Sequence, residues 1–141
     1  MFDWNAAQYA KFKAQRTLPA AELANALPAQ GVESIIDLGC GIGNSTAVLK
    51  NRFTQAHIVG ADSSDDMLDF ARKNEPELEF IKLNVPDDIE SLGRKFDVVY
   101  SNACIQWIPN HKELLYRLME LVKPGGTLAV QIPQQAKHPM H

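Results

Sequence analysis

The sequence predicts an α/β fold, a parallel sheet flanked by helices, within one domain of 141 residues. Short apolar runs of the kind found in buried strands alternate with segments whose apolar residues recur at helical spacing. The first run, Ser34 to Leu38, leads into a glycine-rich turn, and the next apolar run ends in an acid, Asp62. Because strands separated by helices pair in parallel through right-handed crossovers, the pattern is that of a Rossmann-like sheet.

The N-terminal part of the chain is predicted to be helical and to form a segment distinct from the core. Residues 5–16 carry aromatic and basic side chains at near-helical spacing, which is typical of an amphipathic helix. A second helix, which Thr17 can cap, should end near Pro28. We therefore expect residues 1–30 to act as a lid segment over a core formed by residues 31–141.

The core is predicted to contain five strands and three helices. Its strands are residues 34–38, 57–61, 78–83, 96–101 and 127–132, and its helices are residues 43–52, 64–73 and 111–122. Ser63 or Ser64 should cap the second of these helices, because acids follow in its first turn, where negative charge complements exposed amides. The run Pro124-Gly125-Gly126 is predicted to stop the third.

Composition and charge exclude several classes of function. The formal net charge of −3 argues against nucleic acid or an anionic membrane as the main partner. No apolar run approaches the roughly 18 residues that a membrane span requires, and the N-terminus lacks the pattern of a signal peptide. Two cysteines, Cys40 and Cys104, form neither a disulfide framework nor a zinc site. We expect a cytoplasmic protein without a metal.

The glycine-rich turn indicates which kind of ligand the core binds. Its glycines alternate as Gly39, Gly41 and Gly43, a spacing that matches neither a dinucleotide fingerprint nor a phosphate-binding P-loop. Asp37, just before them, would repel phosphate but suits a cationic amino-acid head group or an intervening water. Asp62 is placed to accept both hydroxyls of a ribose. A ligand with a ribose and a positive charge but no phosphate fits best, and S-adenosylmethionine (SAM) is such a molecule.

The turn at residues 37–43, Asp-Leu-Gly-Cys-Gly-Ile-Gly, resembles motif I of the class I SAM-dependent methyltransferases. The resemblance continues through residues 62–68, 96–103 and 121–128, and so covers nearly the whole chain. A narrower likeness, to the trans-aconitate methyltransferases, rests on Trp4, Tyr9, Phe12, Arg16, Pro19, Ala20, 44–46, 101–107 and 129–133. That family methylates a carboxylate of a small tricarboxylic acid, which is the reaction that the resemblance implies.

The resemblance implies a cofactor site beyond the carboxyl ends of the strands, where open α/β sheets bind ligands. Ser63 and Met67 are expected beside the adenine. The family usually has an acid where Asn84 stands, but the amide oxygen of Asn84 can still accept from the adenine amine. The full predicted set is Asp37, Gly39, Cys40, Gly41, Gly43, Asp62, Ser63, Met67, Asn84, Asn102 and Ala103. Three alternatives stay open: a helix cap for Asp62, a plain tight turn without a ligand for the glycines, and core packing for Met67.

The acceptor side of the site is expected to clamp a carboxylate substrate. A carboxylate is already ionised at neutral pH, so the reaction needs no general base, and in-line positioning supplies most of the catalysis. No residue is assigned a certain catalytic role, and the substrate candidates are Tyr9, Arg16, Gln106, Trp107 and His111. Their alternatives are a solvated cation for Arg16, a core or lid hydrophobe for Trp107 and a surface residue for His111.

The C-terminal end bears on both assembly and function. Family members continue past strand 5 with a helix and the hairpin strands that complete the sheet, whereas this sequence stops at His141. The core is then expected to lack those strands, and strand 5 would be an exposed edge through which Ala129 to Ile132 pair in a homodimer. A truncated, less stable fragment is the alternative. Two other functions stay open: a non-catalytic SAM-binding remnant with a regulatory or partner-binding role, and a methyltransferase for another acceptor, such as a malonyl carrier or an amine.

Overall fold

The computed structural model of the chain describes residues 21–28, 30–85, 87–102 and 111–131, with only the backbone described at 102 and 111. Its strands are β1 (Ser34–Leu38), β2 (His57–Asp62), β3 (Glu79–Lys82), β4 (Phe96–Asn102) and β5 (Val122–Gln131). Its helices are α1 (Asn44–Arg52), α2 (Asp65–Asn74), a short 3-10 helix (Ile89–Leu92) and α3 (His111–Met119), and residues 21–25 are also helical.

The strands form one parallel sheet in the order β3-β2-β1-β4-β5. All five residues of β1 are buried at the centre of this sheet, where Ile36 pairs with Val59 of β2 and Val99 of β4. A parallel sheet needs both faces covered, which explains why the adjacent residues Ile35 and Ile36 of β1 are both apolar although they point to opposite faces. The predicted fold, a parallel sheet flanked by helices, is confirmed.

The two faces of the sheet carry separate apolar clusters, because successive side chains of a strand point to opposite sides. Ile35 packs on one face with Leu49 of α1 and with Ala24 and Leu27 of the N-terminal part. Ile36 packs on the other face, in a cluster that includes residues of α3 and the 3-10 helix. The described end of the predicted lid segment, residues 21–28, is therefore part of the core packing.

The boundary between α3 and β5 differs from the prediction. The predicted helix continues to Val122, but α3 ends at Met119, and β5 begins at Val122. The backbone N–H of Phe96 donates to the Leu121 carbonyl at 2.7 Å, so the chain joins β4 before the proline is reached. Leu121 and Val122 fit the apolar face of a helix by spacing, yet they are buried beside the sheet. Periodicity cannot separate these two uses of a short apolar run.

The run Pro124-Gly125-Gly126 lies inside β5 and does not stop a helix. Phe96 pairs with Val122 and Val98 pairs with Thr127, so one residue of β4 faces four residues of β5 between these pairs, and the run forms an irregularity in the strand pair. A Cβ on Gly126 would lie 2.6 Å from the Asp97 carbonyl oxygen, which explains why glycine occupies this position. Gly126 thus allows the close approach of the two strands.

The amino ends of β1 and β4 are joined by one carboxylate. Asp97 Oδ2 accepts hydrogen bonds from the backbone N–H groups of Glu33 (2.9 Å) and Ser34 (3.1 Å). In return the Asp97 N–H donates to Ser34 Oγ at 3.1 Å. Partial burial acts to raise the pKa of Asp97, but these hydrogen bonds outweigh it and hold the pKa below its ordinary value. The bonds fix the register of the central strands at the end opposite the glycine-rich turn.

None of the helices in the described part of the chain has the length and apolar character needed to cross a membrane.

Candidate cofactor-binding site

The glycine-rich turn joins the carboxyl end of β1 to the start of α1. Gly39, Gly41 and Gly43 have φ angles of +73°, +56° and +95°, a region that other residues rarely adopt. The N–H groups of Gly39 and Cys40 both donate to the Ala61 carbonyl of β2, at 2.7 and 3.0 Å. The turn is therefore held against the neighbouring strand by its backbone.

The space beside the glycines differs from one to the next. A Cβ on Gly43 would lie 3.1 Å from Phe80 Cζ and 3.4 Å from Ala71 Cβ, so Gly43 lies against the core. A Cβ on Gly41 would meet no atom within 4 Å among those described. Gly41 thus presents its backbone to open space, where a ligand can approach the chain closely.

Asp62, at the end of β2, connects the turn to α2. Its Oδ2 accepts from the Gly41 N–H at 2.8 Å, and its Oδ1 accepts from the Ser64 N–H at 2.9 Å. Ser64 itself is the N-cap of α2, since its Oγ accepts from the Met67 N–H at 3.2 Å. Each Asp62 oxygen can accept a second hydrogen bond, so the carboxylate can hold the turn and bind a hydroxyl at once. The predicted cap at Ser63 or Ser64 is confirmed at Ser64.

Asp37, at the end of β1, is fully buried, and its carboxylate faces the start of α1. Ser45 Oγ and Thr46 Oγ1 each donate to Asp37 Oδ2 at 2.7 Å, and both of these residues are buried as well. The N-cap of α1 is Gly43, which has no side chain to cap the helix. The hydroxyls in the first turn of α1 instead donate to the acid at the end of the preceding strand. A carboxylate near a helix N-terminus is also favoured by the helix dipole.

The roles of Ser45 and Thr46 were missed by sequence reasoning. The available signal was two hydroxyl residues eight and nine positions after a buried acid, in the first turn of the helix that follows it. Residues of this kind are usually read as caps for their own helix. The direct ligand contact of Asp37 stays a prediction.

Cys40 lies within the turn and is 3% exposed. Its burial, together with the carboxylates of Asp37 and Asp62, raises the pKa of the thiol far above its ordinary value. The thiol therefore stays protonated at neutral pH, which argues against a role as a nucleophile. Cys40 packs in a small apolar cluster with Leu68 and Phe80, consistent with a filling role beside the turn.

The other predicted ligand residues lie at the same end of the sheet. Ser63 is exposed and Met67 is half-buried, next to Asp62. Asn84 follows β3 with an exposed side chain, and its backbone exchanges hydrogen bonds with Asp88, whose Oδ2 accepts at 3.0 Å and whose N–H donates at 2.7 Å. Asn102 is the last residue of β4. The structure thus brings the ends of four adjacent strands together, as predicted from the parallel order.

The predicted acceptor residues fall mostly outside the described part of the chain. This holds for Ala103 of the ligand set and for Tyr9, Arg16, Gln106 and Trp107, as it does for the predicted helices before residue 21. His111 begins α3. A cavity of about 560 Å³ lies elsewhere, between α1 and the turn after α2, and none of the predicted ligand residues lines it. Within the described ranges, no group of three or more metal-ligating side chains is found.

Comparison with known proteins identifies relatives over the full chain. It is 43% identical over 141 residues to a trans-aconitate 2-methyltransferase of Rhodopseudomonas palustris, covering 100% of this chain and 54% of that protein. The figures for the enzymes of that name from Methylobacterium radiotolerans and Escherichia coli are 45% and 41% identity, again with the whole chain matched to 54% and 55% of the relative. The chain spans about half the length of the curated relatives it matches.

Solved structures agree on the fold. An O-methyltransferase family protein from Burkholderia thailandensis matches with a TM-score of 0.73 and 25% identity, over 88% of this chain and 40% of that one. An amino pentose methyltransferase from Micromonospora echinaspora, solved with SAM bound, matches with a TM-score of 0.72 and 20% identity, over 95% and 58% of the two chains.

The model of one protein family, described as a methyltransferase domain, matches residues 36–128. This range begins in β1, includes the turn, Asp62 and β4, and ends in β5, so it contains the described parts of the candidate site. The chain belongs to the methyltransferase family.

Proposed function

We propose that the chain is the SAM-binding part of a methyltransferase that methylates a carboxylate of a small acid, with trans-aconitate as the first substrate to test. The observation that carries the proposal is the pairing of Asp62 with the N–H of Gly41, at the edge of open space. This arrangement supports Asp62 as the proposed ribose acceptor, because its carboxylate lies next to a backbone that a ligand can approach closely.

The residues of the site suit SAM better than a phosphate-bearing cofactor. Asp62 has capacity left for ribose hydroxyls, and Asn84 offers an exposed amide to the adenine. Asp37, Asp62 and the neutral Cys40 add no positive charge that would hold a phosphate. When bound, SAM would supply a methyl group activated by a positive sulfonium, and the two carboxylates make this end of the sheet favourable for a cation.

The acceptor is proposed from chemistry and from the names of the relatives. A carboxylate is ionised at neutral pH, so this chain has only to hold it in line with the methyl group and keep water away. Tyr9, Arg16, Gln106, Trp107 and His111 are the residues proposed to clamp it, with Arg16 as the cation. In the same proposal the part of the predicted lid segment before residue 21 closes over the site, while residues 21–28 stay packed on the core, and the protein works in the cytoplasm.

A panel of acceptors tests the reaction. The chain and one of its full-length relatives would be incubated with radiolabelled SAM and either small acids (trans-aconitate, cis-aconitate, citrate) or amines. Base-labile methyl ester on trans-aconitate, formed by both proteins, is the expected result. Transfer to amines alone would contradict the proposed acceptor. SAM binding without transfer to any acceptor would favour the non-catalytic alternative for this chain.

A further inference from the structure

The buried acid at the end of β1 and the two hydroxyls that bind it form a unit that we call the clasp: Asp37, Ser45 and Thr46. We propose that Ser45 and Thr46 are positioning residues for the cofactor, because their bonds to Asp37 fix the backbone of the glycine-rich turn that receives it. The identity of the ligand in this inference rests on the proposed function.

The clasp lies at the base of the turn. Asp37 ends β1 and the two hydroxyl residues open α1, so the bonds at 2.7 Å join the two ends of a closed loop that contains residues 38–44. The middle of the turn is held separately, because the Gly41 N–H donates to the carboxylate of Asp62. The position of the turn backbone therefore depends on both anchors, in addition to the bonds from the Gly39 and Cys40 N–H groups to the Ala61 carbonyl.

The turn has little internal support of its own. Within it, one backbone hydrogen bond is described, from the Gly43 N–H to the Cys40 carbonyl at 3.0 Å. Its three glycines at positive φ have access to wide regions of backbone space once the anchors are released. Loss of a clasp bond is thus expected to spread the turn over several conformations, only some of which bind the ligand.

Removal of a single hydroxyl group should be enough to disturb the clasp. Thr46 is fully buried, so Thr46→Val keeps the shape of the side chain and removes the hydroxyl, which donates to Asp37 and also hydrogen-bonds the Cys40 thiol. A buried carboxylate that loses a hydrogen-bond donor destabilises the folded site. We therefore expect the surrounding backbone to shift so that the carboxylate gains another donor. A purely structural role would behave differently: the variant would unfold more easily, but its folded form would bind as the parent does.

The test separates these two roles by comparing variants well below their unfolding temperatures. Calorimetric titrations with SAM and with its demethylated product would be run on Thr46→Val, Ser45→Ala and Thr46→Ser, and thermal unfolding would be followed in parallel. Thr46→Ser keeps the donor and is the rescue variant. Val48→Ala is the matched control, since Val48 lies half-buried on α1 outside the clasp. We expect Thr46→Val and Ser45→Ala to weaken both ligands about tenfold, an effect of about 1.4 kcal/mol, and Thr46→Ser and Val48→Ala to bind as the parent does.

Unchanged affinity in Thr46→Val, or an equal loss in Val48→Ala, would overturn the inference. If the parent chain binds neither ligand, the proposed function fails separately, and amide hydrogen exchange at Gly41 and Gly43 decides about the clasp. Faster exchange in Thr46→Val than in Val48→Ala supports an anchoring role for the clasp, and equal exchange overturns it.

Discussion

Gly41 and Gly43 lie two residues apart and both have positive φ, but they differ in what surrounds them. Gly41→Ala adds a methyl group to open space, so the fold should lose only the cost of a left-handed alanine, about 1–2 kcal/mol. The same methyl group would occupy the space proposed for the ligand. We expect the variant to stay folded and to lose SAM affinity at least tenfold in a calorimetric titration. Retained affinity would show that the ligand does not approach this backbone.

Gly43→Ala should act mainly on stability. Its Cβ would lie 3.1 Å from Phe80 Cζ, in addition to the strained φ of +95°. We expect a larger fall in the unfolding midpoint than for Gly41→Ala, measured by thermal or urea unfolding. An equal or smaller fall would contradict the packing described around Phe80.

The positions of single site residues were predictable where they follow from the path of the backbone alone. The glycines and Asp62 follow from a turn after one strand and an acid after the next, which a parallel sheet brings together. The bonds from Ser45 and Thr46 to Asp37 were not predictable, because they depend on where α1 turns its first residues. The spacing of residues in the sequence does not show the direction in which these two side chains point.

At the scale of elements, Asp97 makes the pairing of β1 with β4 dependent on pH. Its pKa is lowered in the folded protein, so the unfolded chain binds more protons once the pH falls below its ordinary value, about 4. The stability that Asp97 contributes is present above that pH and is lost as the pH falls through the lowered pKa. We expect Asp97→Asn to be less stable than the parent at pH 7 and to lose less between about pH 5 and pH 3.

Thermal unfolding at a series of pH values measures this effect. Asp66→Asn is the control, because Asp66 is exposed in the first turn of α2, away from the β1–β4 pair. Parallel pH profiles for the parent and Asp97→Asn would show that Asp97 does not link the strands in solution. Glu90 contributes in the same direction in both proteins, since its hydrogen bond from Arg117 lowers its pKa.

The elements themselves were predicted well where flanking turns are explicit. The predicted bounds of β1 match the structure, because Ser34 to Leu38 is followed at once by the glycines. The predicted junction of α3 and β5 was wrong because helix and strand are only two residues apart there, and Met119, Leu121 and Val122 on both sides of it are apolar. The change from helical to strand spacing of apolar residues cannot be recognised over so short a stretch.

At the scale of the whole molecule, β5 is the last strand of the sheet on one side in the described part of the chain. An unpaired edge offers backbone N–H and C=O groups to another strand, which is the basis of the homodimer expected from the sequence. Light scattering at increasing concentration should show the mass rising toward twice that of the chain. Gln131→Lys, which adds a charge to β5 without removing an apolar side chain from the core, should reduce the association. A parent that stays monomeric at high concentration would contradict the dimer.

The central claim is that the turn at residues 37–43 and Asp62 form a SAM site in this chain. Its most direct test is a calorimetric titration of the 141-residue protein with SAM, together with Asp62→Ala and the control Asp66→Asn. We expect micromolar affinity for the parent and the control, and a loss of about 1–3 kcal/mol in Asp62→Ala, which removes the acceptor of both the ribose and the Gly41 N–H. A folded parent that does not bind SAM, or an Asp62→Ala variant that binds as tightly as the parent, would contradict the claim.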